Sequence, residues 1–167
     1  MSGEDVLRGC LGIDYSALTI VGEAFSKSFA AQHTEASSKA TVFAGEEDAK
    51  NAFRGTVRGM GSGAAEDCFR KQVETLNMVE VGHADVDELS PTRPRGIDEA
   101  QGWQIFVTFT LSEGSPASNA FLELLLLRRG GILVALQTTD TARPIDRGLR
   151  AKLVRALARR MTRLRRE

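Results

Sequence analysis

The sequence predicts an α+β fold, in which an antiparallel sheet of about five strands packs against helices, one of them a long C-terminal amphipathic helix. Three observations predict this fold. Residues 119–139 form the longest apolar run and are broken only by Arg-Arg-Gly-Gly, which is typical of a β-hairpin. Side chains in residues 103–111 alternate between an apolar set and a mostly polar set, as on the two faces of a strand. Residues 144–166 carry apolar side chains at spacings of three and four, as in an amphipathic helix.

The length and composition are those of a globular protein. At 167 residues the chain fits one domain, 1–167, and can bury roughly 70% of its unfolded surface without a metal. The 42% hydrophobic and 26% charged content excludes a disordered or collagen-like chain. No stretch reaches the roughly 18 apolar residues that span a bilayer, and the acidic residues 1–10 do not resemble a signal peptide.

The first part of the chain predicts one helix and two short strands. Residues 2–11 suit a helix because its first turn is acidic. Residues 18–21 and 37–43 are predicted as strands, and the polar segment after Phe25 as a loop or a sheet edge.

Two helices follow, over residues 45–58 and 64–77, and each has acidic residues near its start. Gly59, Gly61 and Gly63 lie between them. A glycine cluster can form a phosphate-binding loop, but this one lacks the Lys-Ser/Thr ending and the preceding strand. We therefore predict a flexible break.

Strands dominate the next part. Residues 79–89 predict an irregular strand, and two prolines make residues 91–96 a loop. The strand at 103–111 leads through a turn at 112–118 into the hairpin. Because each connection is short, these four strands should form an antiparallel meander.

Both faces of the predicted hairpin are apolar, although a sheet with one wet side needs only one apolar face. One face carries Phe121, Leu125, Leu127, Ile132, Val134 and Leu136, and the other carries Leu122, Leu124, Leu126, Leu133 and Ala135. The second face is expected to meet the N-terminal helices, to line an apolar pocket or to form a homodimer contact. The candidate pocket residues are Trp103, Phe106, Glu123, Leu124 and Leu133.

The predicted C-terminal helix, which Pro144 would begin, is basic opposite its apolar stripe. From residue 141 to the end, ten Lys/Arg stand against two acidic residues, a net charge of +8, so the preceding 140 residues carry −8. The basic side of such a helix is either exposed to solvent only or binds an anionic partner. Nucleic acid is not expected as that partner, because the helix has no aromatic residues. The stripe is Leu149, Leu153, Leu157, Met161 and Leu164, and the candidate patch is Arg155, Arg159, Arg160, Arg163 and Arg166.

Cys10 and Cys68 are the two cysteines, and both fall on predicted helices with apolar neighbours. If bonded, they would close a loop of about 59 residues, which is worth about 4 kcal/mol in the chain-entropy model. Two buried free thiols in a cytosolic protein are the alternative. Without a Cys-x-x-Cys pair, a zinc or redox motif is not expected.

His83 lies among carboxylates. In a strand it shares a face with Asp85 and Asp87. This pattern fits an acid/base pair or a weak metal site in a small cytosolic enzyme, but such a run is more often a solvated strand edge or loop. Glu123 is the one charged residue of its apolar strand; buried alone it would have a raised pKa, and we expect it to pair with an arginine at the sheet edge. No dinucleotide, hydrolase or zinc-protease motif occurs, so we predict no cofactor, metal or catalytic residue.

Several short segments follow one another in a characteristic order. They are Cys10-Leu-Gly, a polar strand ending Thr41-Val-Phe, a helix with Asp48-Ala49 and Phe53, Ala65-x-x-Cys68-Phe69, Gly96-Ile-Asp98-Glu99 before a strand, and Arg128-Arg129-Gly130 before an apolar return strand and a terminal helix. This order resembles a broad family of actinobacterial extracytoplasmic domains, which includes secreted lipoproteins and the PknH-like extracellular sensor domains of receptor kinases. The resemblance covers most of the chain from Cys10 onward.

The resemblance implies an α+β domain outside the cytoplasmic membrane in which Cys10 pairs with Cys68. It also implies a sensing or ligand-binding role, toward a small molecule or a cell-envelope component, without catalytic residues. The sequence lacks a leader and the segment that usually precedes the first cysteine of such proteins, and its terminal helix is unusually rich in arginine. If the resemblance does not hold, a cytoplasmic protein is expected.

Overall fold

The α+β fold is confirmed. The computed structural model describes residues 8–77, 80–110 and 116–163, in which residues 8–10 are also helical. In chain order the main elements are β1 (Ile20–Phe25), β2 (Phe29–Ala31), β3 (Thr34–Phe43), α1 (Glu46–Met60), α2 (Ala65–Asn77), β4 (Glu80–Leu89), β5 (Glu99–Thr110), β6 (Ser118–Arg129), β7 (Ile132–Asp140) and α3 (Arg147–Arg163). None of the helices in the described ranges is long and apolar enough to cross a membrane.

The seven strands form one antiparallel sheet in the order β1-β3-β7-β6-β5-β4, with β2 also paired to β3. The predicted meander of the last four strands is therefore confirmed. The prediction of about five strands was too low, because the polar segment after Phe25 forms β2 and pairs with the start of β3. The strand β2 has only three residues, Phe29–Ala31, which is too short for a side-chain period to identify it as a strand.

The predicted hairpin is formed by β6 and β7, with Arg129 opposite Ile132. Gly130 has a φ of 53°, in the left-handed region that favours glycine. A Cβ at Gly131 would lie 3.1 Å from the Phe43 carbonyl oxygen, so the turn packs closely on the end of β3. These two constraints explain the Gly-Gly pair.

Helices cover the hairpin on both faces, which accounts for its two apolar sides. We call the face under α1 and α2 the helix-pair face and the face under α3 the single-helix face. Ala49 and Ala52 of α1 are completely buried, since small side chains let the helix lie close to the sheet. The core of the helix-pair face includes Phe43, Phe53, Phe69, Trp103, Ile105, Val107, Leu126 and Leu133.

The core of the single-helix face is a separate cluster. It comprises Ile97, Leu125, Leu127, Val134, Leu136, Val154, Ala158 and Met161. Gly102 of β5 lies beneath Leu125, and a Cβ at this glycine would overlap the Leu125 side chain. The sheet therefore divides the hydrophobic core into two parts.

The C-terminal helix begins later than predicted. It starts at Arg147, and the Asp146 carboxylate caps it by accepting a hydrogen bond from the Leu149 N–H at 2.9 Å. Pro144 thus precedes the helix instead of beginning it. The predicted stripe is confirmed at Leu153, Leu157 and Met161, which pack on the core of this face, whereas Leu149 is 37% exposed. Val154 and Ala158, which were not in the predicted stripe, are also buried. Leu164 lies outside the described residues.

Candidate ligand groove and basic helix

Cys10 and Cys68 form a disulfide, with their Cα atoms 5.7 Å apart. The sequence allowed either a disulfide or two buried free thiols, and the structure contains the disulfide. The bond joins the N-terminal helical residues to the first part of α2 across 58 residues of sequence. It fixes the position of α2 on the helix-pair face.

The segment after Cys10 runs across α1 and packs into it. Leu11 and Ile13 are buried, and a Cβ at Gly59 of α1 would lie 2.9 Å from the Ile13 side chain. Further along, the Tyr15 hydroxyl and the Thr56 hydroxyl are hydrogen-bonded at 2.7 Å. The close approach at Gly59, between α1 and the N-terminal segment, would be lost with any larger residue.

A groove of about 290 Å³ opens on the helix-pair face where the α1–α2 turn approaches β4 and β5. Its lining comprises Met60, Gly61, Ser62, Gly63, Ala65, Glu66, Val86, Glu88 and Trp103. Trp103 is 2% exposed and forms part of the floor. This volume is just below the usual range for small-molecule sites, so only a small molecule would fit the groove.

The polar part of the groove is acidic. Glu66 and Glu88 are both exposed, and the Glu88 carboxylate accepts a hydrogen bond from the Gln101 side-chain amide at 2.8 Å. Neither carboxylate has an ion-pair partner within the described ranges. Val86, Met60 and Trp103 supply an apolar surface beside them. Two carboxylates beside an apolar wall favour a ligand that carries a positive charge.

The five candidate pocket residues do not lie together. Trp103, Leu124 and Leu133 face α1 and α2, whereas Phe106 and Glu123 are on the single-helix face. This separation follows from strand alternation, because residues 103 and 106, like 123 and 124, point to opposite faces. Of the five, Trp103 lines the groove, while Phe106 stacks on Phe121 with ring centres 5.1 Å apart.

Glu123 pairs with an arginine of α3 instead of one at the sheet edge. It is 1% exposed, and its two oxygens accept hydrogen bonds from the Arg150 guanidinium, one of them at 2.8 Å. The hydrogen bonds that Arg150 donates to Glu123 raise the pKa of Arg150, so the arginine stays charged. The pair fixes the rotation of α3 on the sheet.

His83 lies on β4 at the edge of the sheet. Its Nε2 atom is 2.9 Å from an Asp85 carboxylate oxygen, and the two side chains are 63% and 48% exposed. Both face away from the groove, because Val86 and Glu88 of the same strand point to the opposite side. Among the described residues, no group of three His, Cys, Asp or Glu is arranged to hold a metal.

The candidate basic patch is exposed on α3. Arg155, Arg159, Arg160 and Arg163 all face solvent, and Lys152 extends the same surface. Arg166 lies outside the described residues. None of these five described cations has an ion-pair partner in the part of the chain that the structure describes. The structure thus gathers the predicted patch on one outer surface.

The sequence did not predict the groove or its two glutamates. It did predict a break between α1 and α2 at the glycine cluster, and the structure has a turn there, but not that Gly61–Gly63 form one wall of a groove. One signal was available in β4, where Glu88 continues the otherwise apolar face of Ala84 and Val86. A carboxylate on that face indicates a place that the helices leave open.

No protein-family model and no curated protein matches this sequence.

Proposed function

We propose that this protein is a non-catalytic binding domain that works outside the cytoplasm and holds a small cationic ligand in the groove beside Trp103. The role and the compartment are those that the resemblance to extracytoplasmic sensor domains implies. The observation that carries the proposal is the Cys10–Cys68 disulfide, because it fixes the helix that forms one wall of the groove.

The disulfide supports the compartment and the binding role together. Disulfides persist in oxidising compartments and are rare in the cytosol. Cys68 lies one turn after Ala65 and Glu66, which line the groove. A covalent bond at this point holds the groove in shape before a ligand arrives, which lowers the entropy cost of binding.

The ligand class follows from the groove wall. Glu66 and Glu88 favour an amine or another positive group, while Trp103 and Val86 contact an apolar portion. At about 290 Å³ the groove takes a molecule of a few carbon atoms. A short aliphatic diamine has both properties and serves as a probe.

The chain contains one tryptophan, so its fluorescence reports the groove directly. We expect cadaverine to change Trp103 emission with saturation, and 1,5-pentanediol and glutarate, its neutral and anionic counterparts of equal length, to have little effect. Glu88→Gln should weaken cadaverine binding by about tenfold, since it removes one charge-assisted hydrogen bond.

Asp87→Asn is the matched control, because Asp87 precedes Glu88 on β4 but points to the other face of the sheet. It removes the same charge and should leave binding unchanged. Equal losses in both variants, or an equal response to all three probes, would overturn the groove as a cation site.

The compartment has its own test. Protein exported to an oxidising compartment and measured by non-reducing mass spectrometry should be lighter than the reduced protein by two hydrogens. Two free thiols in the exported protein would count against the extracytoplasmic proposal without affecting the groove measurement.

An enzyme built on His83 is not favoured by its position. His83 and Asp85 are solvated on a sheet edge, on the face away from the groove. An acid/base pair needs to reach the reacting atoms of a bound substrate. We therefore do not propose a catalytic role for this pair.

A further inference from the structure

The outer surface of α3 carries a straight row of positive charges. Lys152, Arg155, Arg159 and Arg163 follow one another at spacings of three, four and four residues, so they lie on one side of the helix over roughly 16 Å. All four are exposed, and α3 contains no acidic residue from Arg147 to Arg163. The row is therefore uninterrupted.

The rotation of α3 keeps this row outward. The apolar side of the helix, with Val154 and Ala158, is buried against β6 and β7. Arg150, the one half-buried arginine of α3, pairs with Glu123. The other cations of α3 are exposed and have no ion-pair partner within the described ranges, and the four of the row lie on the side away from the sheet.

We propose that this basic row is a docking surface for an anionic phospholipid bilayer. The charge complementarity is direct, since each exposed Lys or Arg near an anionic membrane surface contributes favourably. The proposal does not rest on the groove or on its ligand, because the two surfaces lie on opposite faces of the sheet.

One neighbouring side chain favours lipid over nucleic acid. Leu149 is 37% exposed and lies three residues before Lys152, on the same side of the helix. An exposed leucine beside arginines suits the boundary between headgroups and acyl chains. No aromatic residue is present in α3, whereas single-stranded nucleic acid binders use aromatic rings for base stacking.

Docking through α3 would orient the whole domain. The groove opens on the helix-pair face, so a molecule bound through the basic row presents its groove to the aqueous phase. The first 140 residues, which carry a net charge of −8, lie outside the docking helix. This polarity favours one orientation on a negatively charged surface.

The test is sedimentation of the full chain with vesicles of phosphatidylcholine containing about 30% phosphatidylglycerol. We expect binding at low ionic strength that falls steeply as salt is raised, because surface charges are screened. Vesicles of phosphatidylcholine alone should not bind. Absence of binding to the anionic vesicles at low salt would overturn the proposal.

A matched pair of variants separates the row from net charge. Arg155→Gln/Arg159→Gln should weaken partitioning to anionic vesicles by about thirtyfold. Arg54→Gln/Arg58→Gln removes two exposed arginines, also four residues apart, from α1 on the opposite face, and should change partitioning by less than about threefold. Equal losses in the two variants would contradict a specific docking row.

A competition experiment with duplex DNA tests whether the row prefers a lipid surface to another polyanion. At matched low salt we expect the protein to bind the anionic vesicles and to keep binding them when DNA is added. Displacement from the vesicles by DNA at similar phosphate concentration would overturn the lipid assignment and identify a general polyanion site. Leu149→Ser should weaken vesicle binding without changing any residual binding to DNA.

Discussion

The two faces of the sheet are covered by different means. On the helix-pair face, α1 and α2 pack through apolar side chains, and the Cys10–Cys68 bond holds the N-terminal segment to α2. On the single-helix face, α3 alone covers Leu125 and Leu127, and a buried ion pair between Glu123 and Arg150 fixes its rotation. One face relies on a covalent bond and the other on a charge pair.

The covalent bond on one face and the ion pair on the other can serve different purposes. A covalent bond next to the groove restricts the shape of the groove, which would lower the entropy cost of binding the proposed ligand. A buried ion pair gives one rotation of a helix, because a rotated helix would leave the carboxylate unpaired in the core. The covalent bond suits a pocket of fixed shape. The ion pair suits an outer surface on which the same side chains of α3 always face the solvent.

The largest expected effect is on the single-helix face. Arg150→Leu should lower the free energy of unfolding by about 3–5 kcal/mol, because it leaves Glu123, 1% exposed, without its partner. Chemical denaturation at neutral pH measures this loss. The double variant Glu123→Leu/Arg150→Leu should recover most of it, since apolar replacement of both partners removes the buried charge. A double variant as unstable as Arg150→Leu would contradict this account of the pair.

Removing the disulfide should weaken the helix-pair face by nearly as much. The variant Cys10→Ser/Cys68→Ser is expected to lose about 4 kcal/mol of stability, because the unfolded chain regains the freedom of a loop of about 59 residues. Urea unfolding of the wild type with and without reductant measures the same quantity. Reduction should leave the serine variant unchanged, and a reductant effect on that variant would show that another process is being measured.

An acid-dependent contribution comes from Asp140 at the end of β7. The hydrogen bond from Thr34 lowers the pKa of Asp140, with further bonds from the N–H groups of Ala142 and Arg143. Because its folded-state pKa lies below the unfolded value of about 3.9, the carboxylate stabilises the fold above that pH, and this stability is lost as the pH falls through the folded-state pKa.

Asp140→Asn should therefore cost about 2 kcal/mol near pH 7. The difference from the wild type should shrink below about pH 4, where the unfolded chain becomes protonated, and should vanish once the pH falls below the lowered folded-state pKa. Thermal unfolding between acid and neutral pH checks this. If Asp140→Asn lowers the stability by the same amount at every pH, the loss comes from side-chain packing and not from the charge of the carboxylate.

The smallest effect is expected where the N-terminal segment crosses α1. Tyr15→Phe removes the hydrogen bond to the Thr56 hydroxyl and should cost about 1 kcal/mol. The cost is small because Thr56 keeps its bond to the Ala52 carbonyl oxygen at 3.0 Å. A loss above about 4 kcal/mol in urea denaturation would mean that the segment depends on Tyr15 more than on the disulfide.

Periodic features of the sequence predicted the fold well. Strict alternation in β5 and the Gly-Gly turn after Arg129 specify the meander, because side-chain period and turn geometry act locally. The short strand β2 was missed, since its pairing depends on β3 and not on its own composition. The start of α3 was misplaced because Pro144 and Asp146 both suit a helix N-terminus.

The candidate site was harder to predict. Trp103 was identified, but the other wall of the groove comes from the α1–α2 turn about 40 residues earlier in the sequence. No local pattern reports which turn meets which strand, because helix packing on a sheet decides it. The grouping of Trp103 with Glu123 failed for a simpler reason, since alternation along β5 and β6 places them on opposite faces.

The division of roles between the two faces can be tested in one measurement. Cadaverine is titrated against Trp103 fluorescence while the protein is bound to the anionic vesicles at low salt. We predict saturation at the same free cadaverine concentration as in solution, because the groove faces away from the docked α3. A groove that no longer responds to cadaverine while the protein stays bound to the vesicles would contradict the account.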